Sequence, residues 1–168
     1  MRDRTRRRAV MWLLLGAVLP AAALAQPPAA KVGQRVMDER VEFTVRRAEW
    51  HPALRAGTLA ANPKGEFLAL FVRAENGANV GSRRVGPDTV ALRDARGRTF
   101  EHSAEAERVM AALHPGDAVL FDKGKEIYPS LRVDGWVVFD VPKDATELRL
   151  VVKGVPSSPG SLIELPPR

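Results

Sequence analysis

Apolar residues recur at every second position in several short stretches of the chain. Val41, Phe43 and Val45 alternate with Glu42, Thr44 and Arg46, which puts three apolar side chains on one face of a strand and polar ones on the other. Leu148, Leu150 and Val152 alternate with Glu147, Arg149 and Lys153 in the same way. Residues 89–93 lead through Asp94-Ala95-Arg96-Gly97 into the extended pattern of 98–101, which predicts a β-hairpin. The stretch 66–75 behaves differently: FLALFVRA is apolar on both faces, as a central strand covered on both sides would be, and Asn76-Gly77 ends it with a turn. A second major strand is predicted at 131–141, with Val137, Phe139 and Val141 on one side, Trp136 and Val138 on the other, and Pro142 as its stop.

One segment has helical character. In residues 103–113, Ser103 is placed to cap, Glu105 and Glu107 suit the first turn, His114-Pro115-Gly116 stops the helix, and Val109, Leu113 and Met110 would face the body. His51-Pro52 and the Gly, Asn and Pro residues up to Gly65 read as a connection, and the apolar run 118–121 has no firm place. Seven or eight short strands and one short helix in a long loop predict an all-β antiparallel sandwich, and a small closed barrel would use the same strands. The domain is expected at 35–154, with a Pro/Ala-rich flexible lead at 26–34 and a Pro/Ser-rich tail at 155–168 that could add an edge strand at 162–165.

The first 25 residues change the reading of charge and compartment. Five arginines and one aspartate lie in residues 1–8, an apolar stretch follows at 9–19, and Ala23-Leu24-Ala25 supplies small residues at alternate positions. This is the pattern of a secretory signal peptide cleaved after Ala25; the apolar stretch is shorter than a membrane-spanning helix requires. Thr5-Arg6-Arg7-Arg8 also fits twin-arginine export, and the absence of cysteine excludes a lipid attached at the cut site. A secreted or periplasmic location with no stable membrane anchor after cleavage is expected. The precursor carries 26 basic and 20 acidic residues; without the first 25 the counts are 21 and 19, so the net charge falls from +6 to +2. Most of the basicity thus leaves with the signal, and nucleic acid is not expected as a partner. Arg83-Arg84, the one basic pair without a near acidic neighbour, reads as a solvated loop. With no cysteine, stability must come from packing rather than disulfides.

Three stretches resemble a known family. Lys64-Gly65-Glu66-Phe67 running to Asn76 is similar to its "KG-x-F … N" strand, and residues 92–100, LRDARGRTF, resemble its hairpin. Residues 135–142, GWVVFDVP, with Leu148 and Leu150 resemble its "G-x-x-x-F-x-V-P … L-x-L" close. The family is a bacterial secreted immunoglobulin-like domain of unknown function, grouped by fold with an immunoprotective extracellular antigen; some members bear a misleading label as telomere-repeat-binding factors. The resemblance covers residues 32–153 and implies an immunoglobulin-like sandwich. It implies no catalytic residues. Residues 104–130 depart from the family pattern, which makes that segment a candidate for function particular to this chain.

Candidate chemistry is sparse. The histidines are His51, His102 and His114; Met110 and His114 on one helix face, with His102, could bind copper, against the plainer reading of a helix that packs Met110 inward. G-x-S-x-G and phosphate-binding glycine patterns are absent, and no acidic pair stands apart from turns or polar faces. Trp136 reads as a core anchor between sheets, and Trp50 either contacts a partner at the tip or is covered by the following loop. No catalytic, cofactor-binding, metal or partner-binding residue is therefore assigned. The leading expectation is an exported, non-enzymatic module that binds a protein or envelope component through loops at one end. The alternative is a periplasmic small-ligand or copper carrier.

Overall fold

The computed structural model describes residues 29–117 and 124–168. The expected signal peptide and the apolar run 118–121 lie outside the described residues. In chain order the first strands are β1 (Ala30–Lys31), β2 (Arg35–Asp38), β3 (Val41–His51), β4 (Leu54–Ala56), β5 (Leu59–Ala61), β6 (Glu66–Asn76) and β7 (Arg83–Val85). A 3-10 turn at Pro87–Thr89 leads to β8 (Val90–Arg93), β9 (Thr99–Phe100) and the helix α1 (Ala104–Leu113). Then follow β10 (Lys125–Ile127), β11 (Arg132–Val141), β12 (Arg149–Val152) and β13 (Ser161–Glu164).

Two sheets face each other, a four-stranded one in the order β11-β6-β3-β2 and a five-stranded one in the order β1-β13-β12-β8-β9. All pairings are antiparallel except that of β1 with β13. This is the expected β-sandwich and not a closed barrel. The strands are more numerous than expected because pieces of two to four residues carry no visible periodicity. The supposed connection 52–65 holds the β4–β5 ribbon, and Arg83-Arg84 lies in β7, paired with β10, rather than in a loop. Residues expected in a flexible lead are tied down: Ala30 pairs with Ile163 in β13, and Gly33 N–H donates to the Val45 carbonyl. The tail strand falls at Ser161–Glu164 with β1 outside it, so it is not the edge.

The strand periodicity sorts side chains into two cores. Phe43, Leu68, Leu70, Val72, Val137 and Phe139 face Leu92, Leu150, Val152 and Ile163 across the sandwich. The opposite parity of β6 and β11, namely Phe67, Ala69, Trp136 and Val138, forms a second cluster with Leu54 and Ala61 of the ribbon and Ala106, Val109 and Met110 of α1. The both-faced apolar pattern of β6 thus reflects a third layer of helix and ribbon. Trp136 is fully buried, but beneath α1 on the outer face of the sheet and not between the sheets. Burying a ring of that size is worth roughly 4–6 kcal/mol as an upper figure.

Helix α1 begins as the sequence predicts, with Ser103 Oγ accepting from the Ala106 N–H at 3.3 Å. Leu113 does not face the body; it is 42 % exposed at the last turn. A bulge between Val45 and Arg47 reverses the parity of β3. Val41, Phe43 and Val45 face the inter-sheet core before it, Ala48 and Trp50 after it, and Arg47 is left on the outer face.

The family-like motifs have structural jobs. The Lys64 and Gly65 N–H groups donate to the Asp140 carboxylate at 2.8 and 3.1 Å. A side chain at Gly65 would overlap the Val141 carbonyl, so only glycine permits that approach. In the hairpin, Asp94 accepts from the N–H groups of Arg96 and Arg98 and from Arg98 Nε, while Gly97 takes the left-handed position.

Candidate functional site

Asn76 ends β6 with no exposed surface. Its Nδ2 donates to the Gly81 and Ile127 carbonyls at 3.0 and 2.8 Å, and its Oδ1 accepts from the Ala78 N–H at 2.9 Å. Its main chain bonds Leu131 O and Ser130 N–H, and the next residue, Gly77, donates to Arg40 O in the β2–β3 turn. One buried amide therefore fastens the loops 77–82 and 128–131 at a single end of the sandwich. Left-handed backbone at Gly81 and Ser130 completes the two turns.

These pinned loops hold apolar side chains in solvent. Val80 is 76 % exposed, Tyr128 59 % and Leu131 56 %. Basic residues surround them: Arg40 in the hairpin turn, Arg83 and Arg84 on β7, Lys125 on β10 and Arg132 at the start of β11. Among the described residues no salt bridge engages Lys125 or Arg132. Both line a groove of about 390 Å³ with Phe71, Gly116, Asp117, Val133 and Asp134. The two carboxylates in it are already engaged, Asp134 by Arg73 at 2.6 and 2.9 Å and Asp117 by Trp136 Nε1 at 3.0 Å and Arg47 at 3.6 Å. The groove therefore has cations to offer.

Next to it, the Arg47 guanidinium lies 4.7 Å from the Phe71 ring centre and 4.8 Å from that of Trp136, and the His114 ring lies 5.0 Å from Trp136. Within the 104–130 segment, then, α1 and its exit build the outer layer, and Tyr128 belongs to the loop end.

The histidines are engaged separately. His51 Nε2 lies 3.4 Å from Glu49, His114 stacks on Trp136, and His102 Nδ1 lies 3.0 Å from Oε1 of the buried Glu107. The Val138 N–H shares that oxygen at 3.4 Å, and Ser103 N–H donates to Val138 O at 2.6 Å, so residues 102–107 cover the open edge of β11. Donation of a hydrogen bond to the Glu107 carboxylate raises the pKa of His102 above its usual 6.5, outweighing burial, which pushes it down. Met110 is fully buried under the helix. Among the described residues no three His, Asp or Glu side chains gather where they could hold a metal ion.

At the opposite end Trp50 packs against the core, half-buried, with the Arg168 guanidinium 4.4 Å from its ring centre. Arg168 also pairs with Glu66 at 3.0 Å and donates to the carbonyls of Val141, Pro142 and Lys143. A groove of about 580 Å³ there is walled by Trp50, Leu148, Leu165 and the Pro166-Pro167 segment. Chain from the tail thus covers Trp50, instead of the loop that follows it.

The residues that matter at the Asn76 end were missed in the sequence. The signal was present but faint: Val80 and Tyr128 are single apolar residues inside turn-forming stretches, Asn79-Val80-Gly81 and Tyr128-Pro129-Ser130. Among the described residues, no helix is long and apolar enough to cross a membrane.

Solved structures share this architecture. The yjhA protein of Bacillus subtilis aligns with a TM-score of 0.59 at 17 % identity, covering 82 % of this chain and 99 % of that one. The secreted protein MPT63 of Mycobacterium tuberculosis aligns with a TM-score of 0.54 at 16 % identity, covering 85 % and 99 %. At such identities the likeness shows the fold alone. A curated protein named dihydrolipoyl dehydrogenase, from Geobacillus stearothermophilus, is 30 % identical over 99 residues, 57 % of this chain and 21 % of that protein; the chain spans about a fifth of the length of the relative it matches. A family model described as a domain of unknown function, DUF4352, matches residues 30–161, nearly the whole sandwich, and the chain belongs to that family.

Proposed function

We propose that this domain works outside the cytoplasm, in the periplasm or beyond, as a non-catalytic module that binds a protein or another envelope component through its Asn76 end. The observation that carries the reading is the set of three large apolar side chains, Val80, Tyr128 and Leu131, kept in solvent by loops that a buried amide holds in place. Exposed apolar groups on a rigid frame bind without a large ordering cost, and tyrosine and arginine beside them are the residue types that dominate interfaces. The export-type N-terminus supports the location, as does the secreted neighbour MPT63. The separate engagement of each histidine supports a role without catalysis.

A photoreactive residue in place of Tyr128 in the exported protein is expected to give discrete adducts in the intact envelope. The same group at Leu59, exposed on the β4–β5 ribbon, serves as the control. Equal labelling from both positions, or none from 128, would sink the proposal.

A further inference from the structure

We infer that the component met by the Asn76 end is the anionic face of a lipid membrane, a proposal that rests on reading this end as the binding surface. Three observations converge on it. Three of the exposed apolar residues share turns at one pole of the sandwich, Val80 in loop 77–82 and Tyr128 and Leu131 beside β11, fastened together and to the β2–β3 turn through Asn76 and Gly77, whereas Met37, Leu59 and Leu113 stand singly on β2, β5 and α1. Apolar side chains that project from a pole need a socket in a protein partner, whereas a fluid lipid interface closes around them without one. Tyr128 has the amphipathic ring that settles at the headgroup level, apolar body inward and hydroxyl in water.

Charge is the third observation. Residues 39–40, 75–84 and 125–132 hold five basic side chains (Arg40, Arg83, Arg84, Lys125, Arg132) against three acidic ones (Glu39, Glu75, Glu126). After residue 25 the chain has 21 basic and 19 acidic residues, so the surplus of two in these segments equals that of the entire domain and the remainder balances at 16 each. The segments at the pole that carries the apolar tip thus hold a surplus of two positive charges, which favours turning that pole toward an anionic surface. In the docked state Val80 and Leu131 enter the headgroup boundary, and Lys125 and Arg132, which no carboxylate among the described residues holds, meet lipid phosphates.

The test is co-sedimentation of the exported protein with vesicles of phosphatidylethanolamine containing about a third phosphatidylglycerol, set against phosphatidylcholine vesicles. All variants carry the wild-type N-terminus, so residues 1–25 contribute equally wherever they are present. Wild type is expected to bind the anionic vesicles selectively and to be released by about 0.5 M salt. The Val80→Ser/Tyr128→Ser/Leu131→Ser variant should bind at least ~5-fold more weakly, as should Lys125→Glu/Arg132→Glu. Circular dichroism checks that each variant is folded, and if the first is not, the charge pair decides. Wild type that ignores anionic vesicles, or variants that bind as well as wild type, overturn the proposal. If vesicle binding fails while Tyr128 cross-links to one protein, the membrane is the wrong partner and the binding surface stands; if both fail, both readings fall.

Discussion

Replacing Asn76 by alanine tests whether one side chain organises the loop end. The substitution removes three hydrogen bonds, leaving the carbonyls of Gly81 and Ile127 and the N–H of Ala78 without them. The bonds to Ile127 and Ala78 are buried; the one to Gly81 is half-buried, where water can take over. A buried group left unpaired costs about 1–3 kcal/mol, so the two buried bonds with a fraction of the third set the loss at about 3 kcal/mol. That is a large share of the 5–15 kcal/mol by which domains are typically stable. With a urea slope of about 2 kcal/mol per molar, the unfolding midpoint should fall by ~1.5 M. Tryptophan fluorescence will report it, since Trp136 is fully buried. Asn76→Asp sharpens the test. A carboxylate still accepts from Ala78 N–H, but it has no donor for either carbonyl and sets a negative charge against both oxygens. It should be at least as damaging as alanine at neutral pH and should recover part of its deficit relative to wild type below about pH 4, where the protonated acid donates again. A midpoint change under ~0.3 M for alanine, or an aspartate variant as stable as wild type at neutral pH, refutes the account.

Other perturbations probe the edge cover, the close approach and the hairpin. The His102 pKa is raised in the folded protein, so its pairing with Glu107 stabilises fully below the unfolded value of about 6.5 and ceases to do so as pH rises through the folded value. The stability advantage of wild type over His102→Gln should therefore be largest near pH 5.5 and shrink above neutrality; urea midpoints that differ by a constant amount across this range would contradict it. Gly65→Ala should cost about 3 kcal/mol or more because the added methyl group meets the Val141 backbone. Gly57→Ala, with a left-handed backbone but open space around it, should cost only about 1 kcal/mol, and equal losses in thermal melts would show that crowding at residue 65 is not the cause. Burial pushes the Asp94 pKa up, but the hydrogen bonds and charge of Arg98 outweigh it and hold the carboxyl below 3.8. Its contribution is present above that value and lost as pH falls through the lowered one, so the penalty of Asp94→Asn should be full at pH 7 and fade in strong acid; a penalty independent of pH would count against the Arg98 pairing.

What the chain determines by itself is local. Alternation at 41–45 and 148–152, the doubly apolar 66–75, the Asp94 to Gly97 turn and the Ser103 cap all depend on neighbours within a few residues, and each is found where the pattern places it. The short segment at Ala30–Lys31 carries no such pattern, because two residues have no period and their partner, Ile163 and Glu164, lies more than a hundred positions away. Likewise, an apolar face does not state what will cover it. Trp136 and Val138 are as apolar as Val137 and Phe139, and only the assembled chain assigns the first pair to the helix layer and the second to the opposing sheet. The bulge after Val45, which turns Arg47 outward and Trp50 inward, is set by pairing with β6 and not by the run of residue types. The loop end shows the division most clearly: Asn76-Gly77 announces a turn in the sequence, yet that the same amide also holds Ile127 and so brings Val80 to the pole shared with Tyr128 and Leu131 is decided only when distant strands meet.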